Sequence, residues 1–154
     1  MRIGRALTAV GAALVLALLV LGLVIYVNRD ENGIAVDNLL AEDITRSIAT
    51  AEDRGGDVDL GRVAKFEWDE LVIAERDATR AQLTRELGFP WEGDLEFRTG
   101  DILIFLRKGE LARFADYRGE GRFAGIQRPF ARFERANAVF RVRGLVIRPL
   151  KPPS

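Results

Sequence analysis

Cysteine and histidine are both missing from these 154 residues. Without thiols there is no disulfide framework, no thiolate nucleophile and no thiolate metal site. Without imidazole, the usual general base at neutral pH and the commonest metal ligand are also gone. Serine stands only at Ser47 and Ser154, so a serine triad has almost nowhere to sit. Lysine is confined to Lys65, Lys108 and Lys151, which leaves the positive charge overwhelmingly to arginine. These absences direct the expectation away from an enzyme and away from any cofactor or metal.

What the chain does have is one long uncharged run over residues 6–27, ALTAVGAALVLALLVLGLVIYV, in which Thr8 is the only plainly polar side chain. A helix of that length is about 33 Å long and matches a hydrocarbon core of roughly 30 Å. In lipid every backbone N–H and C=O needs an internal partner, which a helix supplies. Arg2 and Arg5 precede the run without an acid between them, while Asn28, Arg29, Asp30 and Glu31 follow it. The short basic flank stays on the cytoplasmic side, which predicts the N-terminus in and the C-terminus out. Tyr26 falls where an amphipathic ring suits the interface. The competing reading is a cleaved signal peptide, whose apolar core is shorter and ends at a small-x-small site. Ala9, Ala13 and Ala17 form a small-xxx-small row that can support helix pairing. The expected localisation is thus the inner (cytoplasmic) membrane, crossed once, with the lipid bilayer as partner of residues 6–27 and an extracytoplasmic, periplasmic domain beyond.

The remainder suffices for one small domain with its own core. The expected division is a cytoplasmic N-terminus at 1–5, the transmembrane helix at 6–27, a juxtamembrane helix and linker at 28–62, an α+β domain at 63–148 and a disordered tail at 149–154. The chain has 23 basic and 23 acidic residues, but they are unevenly placed. Residues 28–110 carry 20 acids against 11 bases, and residues 111–154 carry 3 acids against 10 bases. Internal pairing between the two regions is the plainest explanation.

Leu40, Ile44 and Ile48 recur every four residues, with Ala41 and Ala51 beside them, which predicts a helix over 36–53 capped by Asp37 and stopped by Gly55-Gly56. That helix either forms a stalk or packs on the domain. Residues 63–74, VAKFEWDELVIA, read as a strand, yet Phe66 and Trp68 share one parity while Leu71 and Ile73 share the other. Either both faces are covered or an irregularity at Asp69-Glu70 re-aims the chain. Thr79 and Gln82 make a capping box for a helix over 80–87, closed by Gly88 and Pro90, with Trp91 placed to close over the core. ILIFL at 102–106 reads as an inner strand, and Lys108-Gly109 as the turn of a hairpin running on to Tyr117. Residues 118–135 read as a long Arg-, Gly- and Phe-rich loop. Residues 137–143 alternate, with Ala138, Phe140 and Val142 in and Arg141 and Arg143 out, and residues 145–147 can extend the sheet past Gly144. The sum is an α+β fold, a small antiparallel sheet covered by helices.

The run FEWDELVIAERDATRAQLTRELGFPW, followed by ILIFLRKGELARFADY and NAVFRVR, resembles a group of small bacterial membrane-tethered α+β proteins of unknown function. The resemblance covers roughly residues 63–143. It implies a membrane-tethered domain and offers no catalytic residue. Ala74-Glu75-Arg76 departs from the Pro-aromatic pair that the group carries before the capping Thr. LTRELGFP is similar in architecture to the helix end of small outer-membrane assembly lipoproteins, although those are lipidated at a cysteine that this chain lacks.

Three candidate sites follow. Asp57-Val58-Asp59 has too few oxygen ligands and the wrong spacing for a Ca²⁺ loop, and reads as a turn. Glu67, Asp69, Glu70 and Glu75 include enough carboxylates for an acid/base pair, so the alternative function is a small carboxylate-dependent hydrolase acting on a cell-wall polymer. The preferred binding residues are Arg118, Arg122, Phe123, Arg128, Phe130, Arg132, Phe133 and Arg135. Arginine interleaved with aromatics suits an envelope protein or an anionic envelope polymer or lipid. Nucleic acid would suit by charge alone but not by the expected orientation. Against a binding loop stands the reading in which the phenylalanines cap the core and the arginines pair with the acidic half. The expected function is a membrane-anchored extracytoplasmic interaction or scaffold domain of the bacterial cell envelope, without catalysis.

Overall fold

A computed structural model describes residues 36–96 and 98–153. The anchor expected at 6–27 and the segments flanking it up to residue 35 lie outside the described residues. Among the described residues no helix is long and apolar enough to cross a membrane.

The chain from Val36 onward forms one compact unit. Its elements are α1 (Asn38–Arg54), β1 (Asp57–Asp59), α2 (Leu60–Val63), β2 (Glu70–Ala74), α3 (Arg80–Leu87), β3 (Ile102–Arg107), β4 (Glu110–Asp116), β5 (Arg122–Phe123), β6 (Phe130–Glu134), a 3₁₀ turn (Arg135–Asn137), β7 (Val139–Arg143) and β8 (Val146–Pro149). The fold is α+β, but the single antiparallel sheet is corrected to two four-stranded sheets. One has the order β4-β3-β2-β6 and is antiparallel throughout. The other has the order β1-β7-β8-β5 and is antiparallel except for the parallel β5–β8 pair.

The first sheet is the middle layer. One face carries Leu71, Ile73, Leu103, Phe105, Ala131 and Phe133 against α1 and the inner residues Val58, Phe140, Val142 and Ile147 of the second sheet. The other face carries Val72, Ala74, Ile102, Ile104 and Leu106 against Leu83 and Leu87 of α3 and against Trp91. This double coverage is why ILIFL is apolar without alternation. Trp91 is buried and meets Phe114 edge-on with centroids 4.9 Å apart.

Both predicted helices are present, the first starting two residues later than predicted. Asp37 caps α1 by accepting from the Leu40 N–H, and Gly55 ends it in a left-handed conformation. The stripe Leu40, Ile44 and Ile48 is buried, so α1 packs on the domain rather than standing off it. In α3 the Thr79 hydroxyl accepts from the Gln82 N–H, while the Gln82 side chain accepts from the Thr79 N–H at 2.8 Å.

The strand expected over 63–74 begins only at Glu70, because residues 60–63 form α2 and the chain bends at Asp69. That bend resolves the parity conflict. Phe66 and Trp68 precede it, Leu71 and Ile73 follow it, and all four pack on the same core. Asp57-Val58-Asp59, expected as a turn, is an edge strand with Val58 buried. The long loop expected over 118–135 contains β5 and β6. In FARFE the alternate residues Ala131 and Phe133 are buried, a period of two that its arginines and glycines disguise. Pro149 ends β8, and just past it the Leu150 N–H donates to Val139 O at 2.9 Å.

Candidate functional site

The second sheet turns one face to solvent, and the strand registers decide what that face carries. In β7, Phe140 and Val142 point into the core, so Arg141 and Arg143 point out. Gly144, at φ +52°, turns the chain back into β8. The hairpin register then sets Arg148 opposite Arg141 and Val146 opposite Arg143. Strand β5 runs parallel to β8 with Phe123 beside buried Ile147, so Arg122 lies beside Val146 on the outer face. Four arginines, Arg122, Arg141, Arg143 and Arg148, are thereby gathered from three strands onto one surface.

Asp57 on β1 stands opposite Arg141 and is the acid that β1 places beside this group. It accepts Nε–H at 2.8 Å and an Nη–H at 3.1 Å, the forked geometry to which a planar guanidinium is suited. The hydrogen bond from Arg141 is the main reason the Asp57 carboxyl sits below its ordinary range, aided by the charges of Arg141 and Arg143. The same bond raises the pKa of Arg141. Arg122, Arg143 and Arg148 form no salt bridge among the described residues.

Arg141, Arg143, Val146, Arg148, Pro149 and Leu150 line a depression of about 490 Å³ on this face. Leu145, in the hairpin turn, is 52% exposed, and Leu150, just past β8, is 46% exposed. They are two of the three large apolar side chains that stand exposed among the described residues. The surface thus combines three guanidinium groups without an ion-pair partner among the described residues with an exposed leucine, Leu150, in the depression. It presents hydrogen-bond donors and positive charge, with the Asp57 carboxylate beside them already held by Arg141.

The residues preferred from sequence are placed differently, with Arg122 the one that joins this face. Phe123 and Phe133 are core side chains, with ring centroids 5.5 and 5.2 Å from that of Phe140. Phe130 packs half-buried on the core beneath α3. Arg118 binds Asp116 at 2.9 Å, and that buried carboxylate also accepts from the Thr99 hydroxyl. Arg128 reaches Asp101 at 3.0 Å and Phe123 O at 2.7 Å. Arg135 donates to the carbonyls of Gly61, Phe66 and Trp68 and lies over the Trp68 ring at 5.1 Å.

Arg132 ties β6 to β2 and α3, bonding Glu70 at 2.9 Å and Glu86 at 2.8 Å. Burial acts to lower its pKa, but the hydrogen bonds and charges of the two glutamates outweigh burial and raise it. Within 118–135, Arg128 and Arg132 pair with Asp101, Glu70 and Glu86 of the acidic half, whereas Arg118 pairs with Asp116, Arg135 bonds to backbone carbonyls and Arg122 has no acid partner among the described residues.

Of the four carboxylates considered for acid/base chemistry, three are engaged, with Glu67 paired to Arg107, while Glu75 has no side-chain partner among the described residues. Asp69 accepts from the Lys108 N–H at 2.7 Å, and Glu70 is held by Arg132. Sequence reasoning oriented Arg141 and Arg143 outward but did not join them to Arg148 and Arg122. The available signal was the turn glycine, Gly144, between two alternating segments, which folds RVR against VIR.

Comparison of the chain with protein-family models, with curated proteins and with solved structures finds no match.

Proposed function

We propose that this chain is a membrane-anchored, extracytoplasmic interaction domain of the bacterial cell envelope that binds an anionic partner and carries out no catalysis. The anchor in this reading is the apolar run at 6–27, and the orientation follows from the basic flank before it. The observation that carries the binding half is the set of four arginines on the outer face of the second sheet, three of them without an ion-pair partner among the described residues. The strand registers bring these arginines onto one surface, and each planar guanidinium offers a fixed fork of donors at the end of a side chain that loses its rotamer freedom on binding. Such an array suits phosphate or carboxylate groups.

The test is retention of envelope components by the full chain in its own membrane. Wild-type protein is expected to hold an anionic envelope component that the Arg122→Gln/Arg143→Gln/Arg148→Gln variant releases. Equal retention by both, at equal levels of folded protein, overturns the binding role of this face.

A further inference from the structure

We infer that the arginine face of the second sheet docks on the anionic phospholipid headgroups of the membrane in which the chain is anchored. The inference rests on the proposed anchoring and deepens it by naming the partner. Three features favour a lipid surface. The first is reach: only residues 28–35 separate the apolar run from the compact unit that starts at Val36. Eight residues extend at most about 28 Å, so the domain is kept close to the headgroups at high effective concentration.

The second is the composition of the face. Protein-binding hot spots combine arginine with tyrosine and tryptophan anchors seated in pockets, and this face offers the arginine without the aromatic anchors. The outward residues here are Asp57, Arg122, Arg141, Arg143, Val146 and Arg148, with no aromatic among them and with the one acid, Asp57, held by Arg141. Guanidinium forks match phosphodiester oxygens, and one sheet face presents several at once.

The third is a pair of exposed leucines. Leu150 stands exposed in the depression among the arginines, and Leu145 stands exposed in the adjoining hairpin turn, so that apolar side chains can enter the boundary between headgroups and acyl chains while the charges meet the phosphates. Each arginine near an anionic membrane surface strengthens attachment by about fivefold, so three uncompensated ones act together by about two orders of magnitude.

The absence of cysteine allows a clean test on the full chain. Leu150→Cys carrying an environment-sensitive fluorophore is reconstituted in bilayer discs of phosphatidylcholine alone or mixed with phosphatidylglycerol. The expected result is a blue-shifted emission, quenched by headgroup-proximal spin-labelled lipid, in the anionic discs and not in the neutral ones. The signal should fall when salt is raised from about 0.1 M to about 1 M, which shortens the screening length from roughly 10 Å to roughly 3 Å. It should also be lost on adding Arg122→Gln/Arg143→Gln/Arg148→Gln. A label equally water-exposed in both lipids overturns the lipid inference, and an acidic envelope protein then released by the triple variant leaves the proposed function standing. Failure of the full chain to enter either disc overturns the anchoring itself. Equal blue shift in neutral and anionic discs overturns the role given to the arginines.

Discussion

Arg141 grips Asp57 through two hydrogen bonds of 2.8 and 3.1 Å across the β1–β7 pair, neutralising one of the four arginines on the outer face of the second sheet. The Asp57 carboxyl is lowered in the folded chain, chiefly by that hydrogen bond. A group whose folded pKa lies below its unfolded value of about 3.9 stabilises the fold above that value. Its contribution is lost as pH falls through the folded value. Acid unfolding of wild-type protein should therefore separate from that of Asp57→Asn above pH ~4 and converge with it at lower pH, as followed by circular dichroism. The same substitution releases Arg141, so binding to anionic vesicles should tighten by about fivefold, where most surface changes would leave it unaltered.

Arg132 joins three elements through Glu70 and Glu86, and its side chain is 29% exposed, like those of its two partners at about a third. Arg132→Met leaves two carboxylates without their shared cation. It should cost about 2 kcal/mol in denaturant unfolding, between the values for surface and fully buried pairs. Arg132→Lys should recover only part of this, since one ammonium cannot reproduce a guanidinium bonding to two acids and a carbonyl.

Lys108 and Gly109 form the β3–β4 turn with φ of +52° and +79°. Left-handed conformation suits asparagine far better than lysine at the first of these positions. Lys108→Asn should raise stability by about 0.5 kcal/mol, seen as a higher denaturant midpoint at unchanged slope. The backbone N–H that binds Asp69 is kept in the variant.

At Gly100 an added Cβ would fall 2.2 Å from the Tyr117 carbonyl oxygen, on the backbone just beyond β4. Neither segment can yield cheaply, because the Tyr117 N–H is bonded to Asp101 O at 2.8 Å. Gly100→Ala should destabilise by about 2 kcal/mol, with a thermal midpoint lowered by several degrees.

The elements legible from sequence are those whose signal is local. The capping box of Thr79 and Gln82, the stripe Leu40-Ile44-Ile48 and the run ILIFL each declare themselves within a few residues, and each is found where expected. Strand β6 was hidden because pairing with Glu70 and Glu86 allows a guanidinium at Arg132 in a position that composition assigns to a loop. Strands β1 and β5 were hidden by their shortness, three and two residues, which leaves no period to detect. The arginine face depends on register between strands far apart in the chain, with Arg122 reaching β8 and Asp57 reaching β7. No window of sequence contains that information, although the excess of bases after residue 110 pointed to the half of the chain that supplies the four arginines.

Topology is tested most directly by protease protection of the full chain bearing a C-terminal epitope. In cells whose inner membrane faces outward to the medium, added protease should remove the epitope. In inverted vesicles from the same cells the epitope should survive until detergent is added. Survival in the first preparation with digestion in the second would place the domain on the cytosolic side and contradict the anchored, extracytoplasmic module, as would recovery of the whole chain free of membrane.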